Sequence, residues 1–439
     1  MTIYALSSGK GVAGIAVVRV SGSAAGRVVE TLTGKALPEA RRASVRALYG
    51  KDREHPIDRG LVIWMPGPGS FTGEDMAELH IHGGIAVVDA VLAAIGDVEG
   101  GRMAEPGEFT RRAFDNGRLD LTEAEGIADL ISAETEAQRQ QAVRQMDGAL
   151  GALYEGWRHD MVQALAYLEA DLDFADEELP EDLFGPMIPN VIALRDTIEE
   201  HLDDDHRGER LRDGFQVILV GPPNSGKSSL INALSNREVA IVSDIAGTTR
   251  DLIEVHLNLA GYPVTLVDTA GLRDGGDAIE QEGVRRARER AARADLTLRL
   301  CDISVLDDDS FAEAKAVDLC LVTKTDTVGG KPDLPNGAFG LSVKTGAGMD
   351  QLLAALEERV VGAMQVQDQP GITRLRHREA LQQCNSYLDR ALEGAQAGQD
   401  EELVAEDLRL AARSLGRITG RVDVEDLLDV IFADFCIGK

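Results

Sequence analysis

Phe215-Gln216-Val217-Ile218-Leu219-Val220-Gly221-Pro222-Pro223-Asn224-Ser225-Gly226-Lys227-Ser228 decides the fold of the region around it. The run from Phe215 to Val220 has strand length and is almost wholly apolar, as a buried parallel strand requires. It leads without a mismatch into G-x-x-x-x-G-K-S. In that motif the glycines let backbone N–H groups turn inward around phosphate oxygens. The lysine, here Lys227, reaches the β- and γ-phosphates, and the Ser228 hydroxyl faces Mg²⁺. A helix starting near Lys227 and running on through Ser229 aims its positive N-terminus at the same phosphates. Strand, loop and helix in this order are the context that the motif needs.

Downstream elements select the base. Asp268-Thr269-Ala270-Gly271 follows the apolar run Val264–Val267, placing a carboxylate near Mg²⁺ and a glycine amide near the γ-phosphate. Thr323-Lys324-Thr325-Asp326 follows another run ending at Val322. There Asp326 accepts from guanine N1–H and the exocyclic amine, a donor pair that adenine lacks, and Lys324 covers the base. Ser342-Val343-Lys344 is expected to present backbone amides to the guanine oxygen. Order and spacing resemble small GTPases of the translational type. The first residue of the base motif is usually Asn in that group, so Thr323 predicts weaker support for the loop and the base, with guanine specificity kept through Asp326. Gly247-Thr248-Thr249-Arg250 occupies the place of a switch loop, with Thr249 as a second Mg²⁺ hydroxyl.

A Gln that positions water in Ras-type enzymes is replaced here by Leu272, which cannot orient water. Asn224, together with Val242-Ser243-Asp244-Ile245-Ala246-Gly247-Thr248-Thr249, matches GTPases that bind K⁺. In them the ion neutralises charge between the β- and γ-phosphates. The match implies Asn224 and the carbonyls of Ser243, Ile245 and Thr248 as ligands. The plainer alternative is that Asn224 only shapes the turn.

Outward from this α/β unit the pattern is helical on both sides. Leu121, Ala124, Ile127, Leu130 and Ile131 keep helical spacing before it, and Leu403, Leu408, Ala411 and Leu415 after it. The acidic stretch Asp171–Asp182, broken by Pro180, reads as a loop. One helical domain interrupted by an insertion is the economical organisation. Residues 2–118 instead read as mixed α/β, with strands at 15–20, 60–64 and 76–82 and a helix at 85–95. The expected division is residues 1–118, 119–212, an inserted domain at 213–364, and 371–439. The fold class is multidomain α/β plus all-α.

Composition narrows the function classes. The chain has 439 residues, 44% of them hydrophobic, enough for about three domains with real cores. A formal net charge of −30 argues against a broad electrostatic grip on nucleic acid. The four cysteines, Cys301, Cys320, Cys384 and Cys436, form no C-x-x-C pair, so no disulfide framework or zinc site is expected. No signal peptide or membrane-spanning run is read, and a cytoplasmic location is expected.

Further signatures extend over nearly the whole chain. They are Gly14-Ile15-Ala16-Val17-Val18-Arg19-Val20-Ser21-Gly22, Pro68-Gly69-Ser70-Phe71-Thr72-Gly73-Glu74-Asp75, Pro106-Gly107-Glu108-Phe109-Thr110-Arg111-Arg112-Ala113-Phe114, and Phe435-Cys436-Ile437-Gly438-Lys439. With the nucleotide motifs they closely resemble the MnmE (TrmE) family of tRNA-modification GTPases. The resemblance implies an N-terminal α/β folate-binding domain that dimerises, a helical domain, and an inserted Ras-like G domain. It implies a homodimer that works with a flavoprotein, MnmG (GidA), in a heterotetramer or larger complex. It further implies modification of C5 of wobble uridine in tRNA, giving carboxymethylaminomethyl or aminomethyl uridine. The carbon would come from a tetrahydrofolate derivative, 5-formyl or 5,10-methylene. Carried over by motif, Arg19, Glu78, Arg118 and Lys439 would contact folate, and Glu280 would orient the attacking water. Cys436 is either a nucleophile near the one-carbon donor or a small buried residue.

Ribosome-assembly switches resembling Era or EngA share the nucleotide motifs. They lack the N-terminal signatures and the Cys-Ile-Gly-Lys motif. His80 and His82 share one strand face, with no third metal ligand evident, and read as structural.

Overall fold

The computed structural model describes residues 1–173, 184–237, 239–241, 254–268, 294–307, 318–328, 334–335, 337–365, 369–422, 425–433, 435 and 437–438. They divide into two compact units. One comprises Met1–Ala128, Gln145–Val162 and Ala412–Lys439, the other Asp129–Arg144 and Gln163–Ala411.

The first unit is built on strands β1 (Thr2–Leu6), β2 (Ala13–Ser21), β3 (Ser44–Tyr49), β4 (Pro56–Met65), β5 (Met76–Gly83) and β6 (Gly101–Met103). Helices α1 (Ala25–Thr33), α2 (Ile85–Gly96) and α3 (Glu108–Asp115) accompany them. The sheet order is β3-β4-β5-β2-β1-β6. Period-2 alternation decides its faces. Val18 and Val20 of β2, and Ala77 and Leu79 of β5, are fully buried with Val28 and Val29 of α1 and Val91 and Ile95 of α2. Each such valine, leucine or isoleucine side chain contributes about 1.5–3 kcal/mol. The intervening residues Arg19, Glu78 and His80 therefore emerge on the opposite face. Sequence periodicity located β2, β4, β5 and α2 but not β1, β3 or β6, whose short runs carry little alternation.

Helical segments follow: α4 (Leu121–Ser132), α5 (Glu136–Met146), α6 (Ala149–Asp173), α7 (Ile188–Leu202) and α8 (Arg207–Asp213). Helix α6 continues through Asp171–Asp173, where a loop was expected; residues 174–183 lie outside the described residues. The second sheet comprises β7 (Phe215–Val220), β8 (Glu254–Leu259), β9 (Tyr262–Asp268), β10 (Leu296–Asp302), β11 (Leu319–Thr323) and β12 (Ala338–Gly340), with α9 (Lys227–Ser235) after β7. Its order is β12-β11-β10-β7-β9-β8. All pairings are parallel except β8 on β9. Val217 and Leu219 are fully buried with Leu230, Ile231 and Leu234 of α9, which fixes the helix behind the strand. Helices α10 (Met349–Met364), α11 (Leu375–Ala397), α12 (Glu401–Thr419) and α13 (Glu425–Ala433) complete the described secondary structure.

The chain crosses into and out of the second sheet at one place. A Cβ on Gly208 would stand 2.3 Å from the Ile372 carbonyl oxygen, so the two crossings touch. Asp129 accepts from Arg212 at 3.1 Å and from Arg374 at 2.7 Å, joining them through one carboxylate. In the first unit, Phe432 and Phe435 pack with Leu121 and Ala124, and Ile437 forms an antiparallel bridge with Pro106. Gly438 has φ 95°, and a Cβ there would stand 2.2 Å from the Leu6 carbonyl oxygen, so only glycine fits against β1. No helix among the described residues is long and apolar enough to cross a membrane.

Candidate functional site

Strand β7 lies between β9 and β10, where the chain direction of sheet building switches; ligands of open parallel sheets bind outside this point. The loop 221–226 leaves β7 here. Gly221 is packed so tightly that a Cβ would lie 2.3 Å from the Leu300 carbonyl oxygen. Asn224, at φ 65°, is left-handed and exposed at the loop tip, a conformation Asn tolerates better than most residues. Gly226, at φ 95°, is the N-cap of α9. The Lys227 side chain, 8% exposed, curls back over the loop. Its Nζ donates to Gly221 O at 2.8 Å and Pro222 O at 3.1 Å, holding the ammonium at the loop mouth. Ser228 is exposed on the first helical turn, and Asp268 ends β9 in register with Leu219 of β7. A hydroxyl on the first turn of α9 and an acidic position at the end of β9 are the oxygen donors that a hard Mg²⁺ takes.

The stretch 323–326, expected to recognise the base, starts at the end of β11 beside the end of β10. Thr323, 3% exposed, donates its hydroxyl to the Ser225 carbonyl of the phosphate loop at 2.7 Å, with Cys301 O at 3.2 Å. The hydroxyl thus ties the strand end to the loop 221–226 directly. Replacing Thr323 by valine keeps the shape and orphans these buried carbonyls. The expected cost is about 1–3 kcal/mol. Thermal melting of the full chain and GDP release rates check it, and unchanged values in both would refute the tether.

Lys324 adopts φ 58° and its Nζ lies 2.6 Å from Asp302 Oδ2. That ammonium, with help from the Ser304 amide, holds the Asp302 carboxyl below its ordinary range. Asp326 accepts from the buried Ser342 hydroxyl at 2.7 Å. The Ser342 amide donates to Ala347 O at 2.9 Å. Val343 and Lys344 follow it in the same loop.

A second polar site occupies the other face of the first sheet, beside the buried Phe109. Arg19 and Glu78 are cross-strand partners, with Nη2 and Nε of Arg19 at 3.0 and 3.2 Å from Glu78 Oε1. The guanidinium lies over the rings of Phe71 and Phe109, 5.5 and 5.7 Å from their centroids. The arginine is thereby held flat and half-buried. Nearby, Glu74 accepts from Ser21 at 2.8 Å and Arg112 at 2.9 Å, and Arg112 also pairs with Glu108. Arg102 and Arg112 hold the Glu108 carboxyl below its ordinary range against the opposing effect of burial. Arg118 is exposed; its Cγ lies 3.3 Å from where a Cβ on Gly73 would stand. His80 pairs with Glu78 and His82 with Asp58, so each histidine has its own carboxylate. No metal-binding group of His, Cys, Asp or Glu occurs among the described residues.

Ser243, Ile245, Thr248, Thr249, Thr269, Ala270, Gly271, Leu272, Glu280, Cys436 and Lys439 lie outside the described residues. Of the described cysteines, Cys384 is inert: burial pushes its thiol up to about 12. Sequence reading missed Asp302, Phe71, Phe109 and the Ser342 hydroxyl. A carboxylate at the C-terminal end of a parallel strand could have flagged Asp302, and the aromatic in each N-terminal signature could have flagged the two rings.

The family model described as the MnmE helical domain matches residues 121–436, and that described as the GTP-binding protein TrmE N-terminus matches residues 2–118. A relative in Parvibaculum lavamentivorans, named tRNA modification GTPase MnmE, is 58% identical and covers 100% of both chains. One of the same name in Rhodospirillum rubrum is 54% identical over 100% of this chain and 99% of its own. The solved G domain of the FeoB iron transporter of T. maritima covers 34% of this chain and 97% of its own at 27% identity, with a TM-score of 0.25.

Proposed function

Because this chain belongs to the MnmE family of tRNA modification GTPases, we propose that it spends GTP, with Mg²⁺ and K⁺ bound, to modify C5 of the wobble uridine in tRNA. The observation that carries the reading is the Arg19–Glu78 pair laid over two phenylalanine rings in the same chain as a GTP-type loop. A flat, hydrogen-bonding pterin is proposed to bond to that pair. Arg118 and Lys439 are proposed to meet the carboxylates of a tetrahydrofolate derivative, which would supply the one-carbon unit. The chain acts as a homodimer in the cytoplasm, with the flavoprotein MnmG (GidA) as partner.

At the phosphates, Lys227 supplies charge from the loop mouth and Ser228 offers its hydroxyl to Mg²⁺. Asn224, exposed at the loop tip, is proposed to hold K⁺ with the carbonyls of Ser243, Ile245 and Thr248. Glu280 is proposed to orient the water that Leu272 cannot. Single-turnover GTP hydrolysis in KCl and in NaCl at equal ionic strength tests this, with Asn224→Ala alongside. The expected result is a rate in KCl at least about tenfold above that in NaCl, a gain worth roughly 1.4 kcal/mol, which the variant loses. Equal rates in the two salts would remove K⁺ and Asn224 from the mechanism.

A further inference from the structure

We propose that Asp302 is a positioning residue for base recognition, acting by fixing Lys324. The inference rests on the reading of 323–326 as a guanine-recognition loop and adds to it a residue from a different strand.

Asp302 ends β10 directly opposite Thr323, which ends β11 in the parallel register. The next residue, Lys324, leaves the strand with left-handed backbone at φ 58°. Such a conformation is uncommon outside glycine and needs its surroundings to hold it. Thr325 N donates to Leu341 O at 3.2 Å and Thr327 N to Lys324 O at 3.0 Å, which secures the backbone. The side chain is secured by Asp302. Oδ2 takes the Lys324 ammonium at 2.6 Å, while Oδ1 accepts from the Ser304 amide at 3.0 Å and the Ser304 hydroxyl at 2.9 Å. Both carboxylate oxygens are thus committed, and the carboxylate cannot swing away without breaking the turn Ile303–Val305 that it caps.

The exposure of the two partners differs in the way a positioning role requires. The Asp302 side chain is 14% exposed and that of Lys324 is 43% exposed. The acid is set in the protein and the lysine stem stays accessible. A stem pinned at its charged end presents a flat run of methylenes that can cover one face of a purine at little cost in rotamer entropy. Thr323 and Asp302 thereby divide two tasks. The threonine hydroxyl ties the loop to the phosphate cradle, and the aspartate orders the lysine.

A double-mutant cycle on the full-length protein tests this, with GDP affinity as the readout and Asp302→Asn and Lys324→Ala as the variants. Asparagine keeps an acceptor for the Ser304 cap and removes the charge that holds the ammonium. Asp302→Asn is expected to weaken GDP by roughly three- to tenfold and to raise KM for GTP with kcat nearly unchanged. In the Lys324→Ala background it is expected to change affinity less than twofold. The same loss in both backgrounds would mean that Asp302 acts through the turn alone and would overturn the proposal, as would full affinity in Asp302→Asn. ATP competing equally with GTP on the wild-type protein would instead defeat the guanine reading itself and the inference with it.

Discussion

Replacing Lys227 by alanine is expected to cut the single-turnover rate of GTP hydrolysis by at least about 100-fold, some 2.7 kcal/mol of transition-state stabilisation. The ammonium is held at the loop mouth by two carbonyls, Gly221 O and Pro222 O, in a side chain only 8% exposed. It is a charge already placed and largely desolvated, so little reorganisation is needed when negative charge builds on the phosphates. Alanine removes the charge and leaves the helix start intact, because Leu230 N still bonds to Gly226 O at 2.9 Å. The melting temperature of the full chain should move little. Hydrolysis within tenfold of wild type would show that this loop is not the phosphate cradle.

Asp326→Asn is expected to weaken GTP binding by about 100-fold or more, since a site built to pair with specific donors rejects a mismatch strongly. The carboxylate is oriented by the buried Ser342 hydroxyl at 2.7 Å, so its free oxygen faces a fixed direction. Asparagine would turn one acceptor into an N–H donor facing the base amine. Xanthine carries a carbonyl in place of that amine, so the same variant should gain affinity for XTP. Competition of GTP and XTP for the variant measures both effects. Retained GTP preference would place base recognition elsewhere.

The nucleotide-binding fold was legible because its signals are local. Phe215–Val220 matched β7 residue for residue, and the helix after the loop begins at Lys227, as read from the motif. What escaped depends on contacts between distant segments. Asp302 gains meaning only when β10 and β11 lie side by side, 22 residues apart in sequence from Lys324. The Phe71 and Phe109 rings meet Arg19 only once the sheet is formed. The bond from Thr323 to the Ser225 carbonyl likewise joins segments 98 residues apart. Short edge strands such as β6 and β12 escaped because three residues carry no measurable period.

The first compact unit is assembled from pieces separated widely along the chain, with Phe432, Phe435 and Gly438 seated against Leu121, Ala124 and Leu6. During translation those pieces do not emerge together. At roughly 5–20 residues per second, on the order of half a minute passes between the release of residue 128 and that of residue 412. Throughout that interval the apolar face of α4 and the far end of β1 stand uncovered, while the second sheet, contiguous in sequence, is free to close. Each sheet is contiguous in sequence, so both are positioned to close before the separated helical pieces of the first unit can meet. The α4 face and the Leu6 end of β1 are the surfaces that a holding chaperone would find exposed.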